Sequence, residues 1–174
     1  LTQGAYKTSG VLPSISPSMD IQVSSNFERL LFEAYGRDGA AVSGLMAALK
    51  AEGGFSLSQG VLEMLQRDFQ SGRCSEEQTR AQIEQTLKGS GELLCPHSAI
   101  GVHVAEQQIQ PETPMITLAT AHPAKFPDAV QSATGLRPDL PPHMADLFER
   151  PERIARAAND LGALKQFIKE RISL

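Results

Sequence analysis

Apolar positions recur at helical spacing through most of the chain. In "SSNFERLLFEAYG", Phe27, Leu30, Leu31 and Ala34 fall on one helical face, and Gly36 suits the stop. Ser25 and Glu28 stand in capping-box spacing at its start. Asp38 is expected to cap a second helix running through Glu52, with Leu45 and Leu49 on one side. Leu62, Leu65 and Phe69 in "SLSQGVLEMLQRDF" mark a third helix. "SEEQTRAQIEQTLKG" marks a fourth, with a Ser75–Gln78 capping box, acids in its first turn and Lys88-Gly89 at its close. Its stripe, Ile83 and Leu87, is narrow, so this helix is expected on the surface with its charges solvated.

Further along, the pattern changes. Leu93-Leu94 reads as a short extended piece, and Pro96 opens a helix to about Ile109. Met115-Ile116-Thr117-Leu118-Ala119 is nearly all apolar, which predicts a strand buried on both faces. A helix from about Ala124 or Pro127 to Thr134 ends at Gly135. The proline-rich "RPDLPPHMADLFERPER" predicts a loop with a short helix around 142–148. Asp160 caps the last helix, whose stripe is Leu161, Leu164, Phe167 and Ile168. Residues 1–24, rich in Gly, Pro and Ser, read as an extended connection ahead of a helix-rich portion spanning 25–174. One strand among many helices cannot satisfy its own backbone edges. It is therefore expected to join a sheet supplied by chain outside this sequence, and the absence of an initiator Met points the same way.

Composition narrows the function classes. Over 174 residues, 41% are hydrophobic and 21% charged, which fits a globular protein and not a disordered one. A net charge of −4 and 5% aromatics give neither the basic footprint nor the stacking platform of a nucleic-acid binder. No apolar run approaches the roughly 20 residues of a membrane-spanning helix. The opening "LTQGAYKTSGVLP" has no basic start and no apolar core, so no secretory signal is expected in it. Cys74 and Cys95 form neither metal-ligand spacing nor a disulfide framework, and read as free thiols of a cytoplasmic protein.

Three stretches carry a resemblance: "PSMDIQVSSNFERLLF" at 17–32, "PHSAIGV" at 96–102 and "TAHPAKF" at 120–126. In this order they resemble the C-terminal part of bacterial-type threonine synthases, and "NDLGALKQFI" at 159–168 is similar to that family's last helix. The resemblance implies an α/β architecture: the helix-rich C-terminal part of a tryptophan-synthase-β-like fold, with one or two strands of the parent sheet. It also implies a parent lyase that uses pyridoxal phosphate to convert O-phosphohomoserine and water into threonine and phosphate. The family's Schiff-base lysine and Gly-rich phosphate loop belong to an N-terminal part, which becomes the expected partner of this chain. No catalytic residue is therefore assigned within it, and the fragment by itself is expected to be inactive. The alternative is a non-catalytic helical interaction module descended from such an enzyme.

Particular residues follow from the same resemblance. Thr120 matches the hydroxyl that meets the cofactor's pyridine nitrogen at a strand's C-terminal end, where ligands of α/β sheets gather. From the residues alone, Thr120 is a strand-end hydroxyl bonded to backbone. His122, held extended before Pro123, either faces the cofactor cleft or fixes a turn. Asn26 and Arg29, on the first turns of their helix, suit a substrate phosphate or carboxylate as well as a structural cap with a salt bridge. His97 is a further substrate-binding candidate. Lys125 reads as an ordinary helix-start cation. Many relatives carry Asp where this chain has Cys95 and Thr where it has Ser98, and a thiol caps a helix less well than a carboxylate. Residues 153–158 are helical by propensity, but the matching family segment is a short strand, which is the expectation adopted.

Overall fold

The computed structural model describes residues 2–172. They divide into two compact units, Leu1–Asp139 and Leu140–Leu174. Six helices build the first unit: α1 (Ser25–Ala34), α2 (Gly39–Glu52), α3 (Gln59–Asp68), α4 (Glu76–Ser90), α5 (Pro96–Glu106) and α6 (Pro127–Thr134). Its sheet has two antiparallel strands, β1 (Ala5–Lys7) and β2 (Gly54–Ser56). Tyr6 lies opposite Phe55 and Lys7 opposite Gly54. Gly54 permits this pairing, because a Cβ there would stand 2.6 Å from the carbonyl oxygen of Tyr6.

The segment before α1 is thus more than a connection. Leu31, Val42, Leu49 and Phe55 form a core at which α1, α2 and β2 meet. Tyr6 of β1 packs against that core, its ring stacked on Phe27 at 5.6 Å and on Phe55 at 5.2 Å. The Tyr6 hydroxyl donates to the Gln22 carbonyl (2.8 Å) and accepts from the Ser24 N–H (3.0 Å). That clasp sets the entry to α1, which begins at Ser25 with Ser24 as its N-cap and no side-chain capping bond. The expected Ser25–Glu28 capping box does not form, because Ser25 is already helical.

Elsewhere the caps match the sequence. Asp38 accepts from the N–H groups of Ala40 (2.9 Å) and Ala41 (3.1 Å), and Ser75 and Gln78 make a complete capping box. The charges of α4 are solvated as expected, with Glu77, Glu84 and Lys88 exposed, but its buried face is wider than the expected stripe. Thr79, Gln82 and Ile83 are buried, and α4 packs against both α5 and α6. The polar members are satisfied internally: Thr79 donates to the Ser75 carbonyl at 2.8 Å, and Gln82 donates to Glu106 of α5 at 3.2 Å. Two hydrogen-bonded polar residues thus widen a stripe that hydrophobicity alone makes narrow.

The buried strand is also overturned. Residues 115–119 have no regular secondary structure, and Ile116 and Leu118 are 81% and 74% exposed. A strand needs a neighbour for its N–H and C=O groups, and none pairs with this segment among the described residues. Leu93-Leu94 likewise lies in irregular chain, and α5 stops at Glu106, short of Ile109.

The second unit holds a 3-10 turn at Pro142–Met144 and α7 (Leu161–Lys169). Asp160 caps α7 by accepting from the Ala163 N–H at 2.8 Å. Residues 153–158 are neither the expected strand nor a helix, since no neighbouring strand pairs with them among the described residues. On α7, Leu161, Leu164 and Ile168 are exposed, and the Arg171 guanidinium lies 3.6 Å from the Phe167 ring centroid. Among the described residues, no helix is long and apolar enough to cross a membrane.

Candidate functional site

The site is built on the first turn of α5. Pro96 opens the helix and Cys95 is its N-cap, the thiol sulfur accepting from the Ser98 N–H at 3.4 Å. The same sulfur lies 3.2 Å from Ser98 Oγ, and both side chains are buried. A thiol therefore performs the capping expected of a carboxylate, at the longer distance a sulfur imposes.

His97, on the same turn, is buried as well. Its Nε2 accepts from the Ser18 N–H at 3.2 Å, which pins the 3-10 turn Pro17–Met19 to α5. Its ring tilts against Phe126 with centroids 4.6 Å apart. Burial, and then the positive charge of Lys125, lower its pKa from the usual 6.5, with Asp20 acting the other way. The neutral ring that results is what the Nε2 acceptor role requires. Its Nδ1 is buried without a hydrogen-bond partner among the described residues.

Residues 115–120 cross α5 at close range. A Cβ on Gly101 would stand 3.1 Å from Thr117 Cγ2. One turn back along α5, Ser98 Oγ accepts the Thr120 N–H at 3.1 Å. Thr120 itself is exposed, and its hydroxyl bonds no atom among the described residues. His122 is exposed too, and its Nδ1 accepts the Ala124 N–H at 3.2 Å to cap the turn Pro123–Lys125. Lys125 sits in that turn, its Nζ 5.9 Å from the Phe126 ring centroid. Ala119, Ala121 and His122 join Cys95 and Ser98 around a hollow of about 560 Å³.

The structure therefore brings Thr120 and His122 to the α5 N-terminus, while His97, on the same turn as Ser98, is engaged with Ser18 and Phe126. Asn26 and Arg29 are placed elsewhere. Both are exposed and Arg29 donates to Asn26, beside a hollow of about 620 Å³ lined by residues of α1 and α2. None of the other candidates lines that hollow. Sequence reasoning did not single out Ser98 as a site residue. The available signal was its place in "PHSAIGV", in the first turn of the helix that Pro96 opens. Among the described residues, no three His, Cys, Asp or Glu side chains group closely enough to hold a metal ion.

Comparison with known proteins gives these residues a family. The family model described as "Threonine synthase, C-terminal" matches residues 98–168. Threonine synthase of Pseudomonas aeruginosa is 47% identical over 167 residues, covering 95% of this chain and 36% of that protein. The crystal structure of a PLP-bound threonine synthase from Brucella melitensis superposes with a TM-score of 0.86 at 50% identity, over 98% of this chain and 37% of that one. Yeast threonine synthase superposes with a TM-score of 0.77 at 30% identity, over 99% and 39%. The chain thus spans little more than a third of the length of the relatives it matches. By sequence and by fold, this chain belongs to the threonine synthase family and corresponds to the C-terminal portion of its members.

Proposed function

We propose that this chain is the C-terminal portion of a pyridoxal-phosphate lyase that converts O-phospho-L-homoserine and water to L-threonine and phosphate. The reading carries a cytoplasmic location and a role in amino-acid biosynthesis, both from the family. The observation that carries the site assignment is Thr120. Its backbone is tied to Ser98, while its hydroxyl is exposed and bonds no other described residue. The backbone-bonded hydroxyl of the alternative reading would not be available to a ligand; this one is.

The residues present fit the cofactor at one point, its ring nitrogen, which a single neutral hydroxyl can meet. Pyridoxal phosphate supplies an electron sink for carbanion chemistry, tuned by whatever the protein sets against that nitrogen. Thr120 would meet it without a formal charge, unlike a carboxylate. His122 would hold the chain's course beyond Thr120 by capping the Pro123–Lys125 turn. Asn26 and Arg29 would present N–H donors to a phosphate or carboxylate on the substrate. His97 would act through packing, since its imidazole is buried and engaged with Ser18. The N-terminal part of the longer protein would complete the site.

Thr120→Val in the full-length protein tests the assignment. Valine keeps the branched shape and removes only the hydroxyl. Cofactor retention on dialysis should fall while the thermal midpoint of the apo form stays near wild type. Unchanged retention would make Thr120 a hydroxyl without a cofactor role.

A further inference from the structure

Residues 114–121 make a single hydrogen bond to the rest of the chain among the described residues: Thr120 N–H to Ser98 Oγ, 3.1 Å. No ladder holds this segment, and its apolar side chains are largely exposed. Apart from the packing of Thr117 on Gly101, the backbone at Thr120 is therefore held by one acceptor. That acceptor is well fixed. Ser98 is 2% exposed and lies in the first turn of α5, and its hydroxyl is paired at 3.2 Å with the Cys95 sulfur, itself 1% exposed. A serine hydroxyl rotates freely unless a second partner holds it, and the thiol is that partner whichever atom supplies the proton. The sulfur is anchored in turn by the Ser98 N–H at 3.4 Å. A short buried relay thus runs from the helix cap through Ser98 to the backbone of Thr120.

We infer that Ser98 is a positioning residue for the cofactor, orienting Thr120 through its backbone N–H and taking its own orientation from Cys95. The inference rests on the reading of Thr120 as the group facing the pyridine nitrogen. Ser98 need not touch the cofactor. By holding the Thr120 backbone between Ala119 and Ala121, which line the hollow, it removes conformational freedom that the hydroxyl would otherwise lose on binding.

The test is a double-mutant cycle in the full-length apo protein, titrated with pyridoxal phosphate and read by the absorbance of the bound cofactor. Ser98→Ala should raise the cofactor dissociation constant about three- to tenfold, the range one lost hydrogen bond supports. Ser98→Thr keeps the hydroxyl and should restore wild-type affinity. Thr120→Val should weaken binding, and adding Ser98→Ala to it should cost little more, because Ser98 acts through Thr120. If Ser98→Ala weakens binding equally in both backgrounds, Ser98 acts independently and the inference is overturned. If Thr120→Val weakens binding but Ser98→Ala does not, the inference fails while the Thr120 reading stands. If Thr120→Val leaves affinity unchanged, both fall. Should circular dichroism show Ser98→Ala to be unfolded, Ser98→Cys, of similar volume and weaker as an acceptor, takes its place in the same cycle.

Discussion

Thr120, bonded to Ser98, and His97, beside Ser98 in the chain, show how differently two polar residues can be used. Thr120 keeps its hydroxyl free, and its loss should reduce turnover of the full-length enzyme about three- to a hundredfold, the range for a hydrogen bond whose partner is left unsatisfied. His122→Ala is the comparison, expected to affect stability more than chemistry. His97 is consumed by structure, and pH reports on it. Its folded pKa is lowered from 6.5, so the unfolded chain binds the proton more readily. The stabilisation is full above about 6.5 and is lost as pH falls through the folded value. The thermal midpoint of the apo protein should drop on acidification below 6.5, and His97→Gln should flatten that drop. An equal slope in both proteins would mean that other groups set it. Neither role of His97 was legible in its sequence position, because Ser18 and Phe126 reach it only in the fold.

Helix-level features were legible where they rest on local chemistry. The Asp38, Ser75–Gln78 and Asp160 caps, the proline start of α5 and the glycine end of α6 each depend on residues within one turn. Replacing Ser75 with Ala should cost about 1 kcal/mol, seen as a lower unfolding midpoint. What hydrophobicity missed was the polar part of α4's buried face, where Thr79 bonds back to Ser75 and Gln82 reaches Glu106 of α5. Residues 115–119 failed for the complementary reason, since a strand is a property of a pair. Their exposed Ile116 and Leu118 should drive aggregation or a tight oligomer in the isolated chain. Ile116→Lys with Leu118→Lys should relieve it in light scattering. A monodisperse monomer before substitution would count against this account.

At the scale of the whole molecule, family and fold were legible because the motifs "SNFER", "PHSAIGV" and "TAHPAKF" are spread over the chain in order. What completes the proposed site was not, since this chain spans little more than a third of its relatives. Under the proposed function, the chain contributes one wall of a threonine-forming site and does not hold the whole of it. Phosphate release from O-phosphohomoserine in the presence of pyridoxal phosphate tests this most directly, with the full-length protein and the isolated chain assayed side by side. The full-length protein should release phosphate in step with threonine, and the isolated chain should stay at background. Steady turnover by the isolated chain, or none by the full-length protein, would contradict the claim.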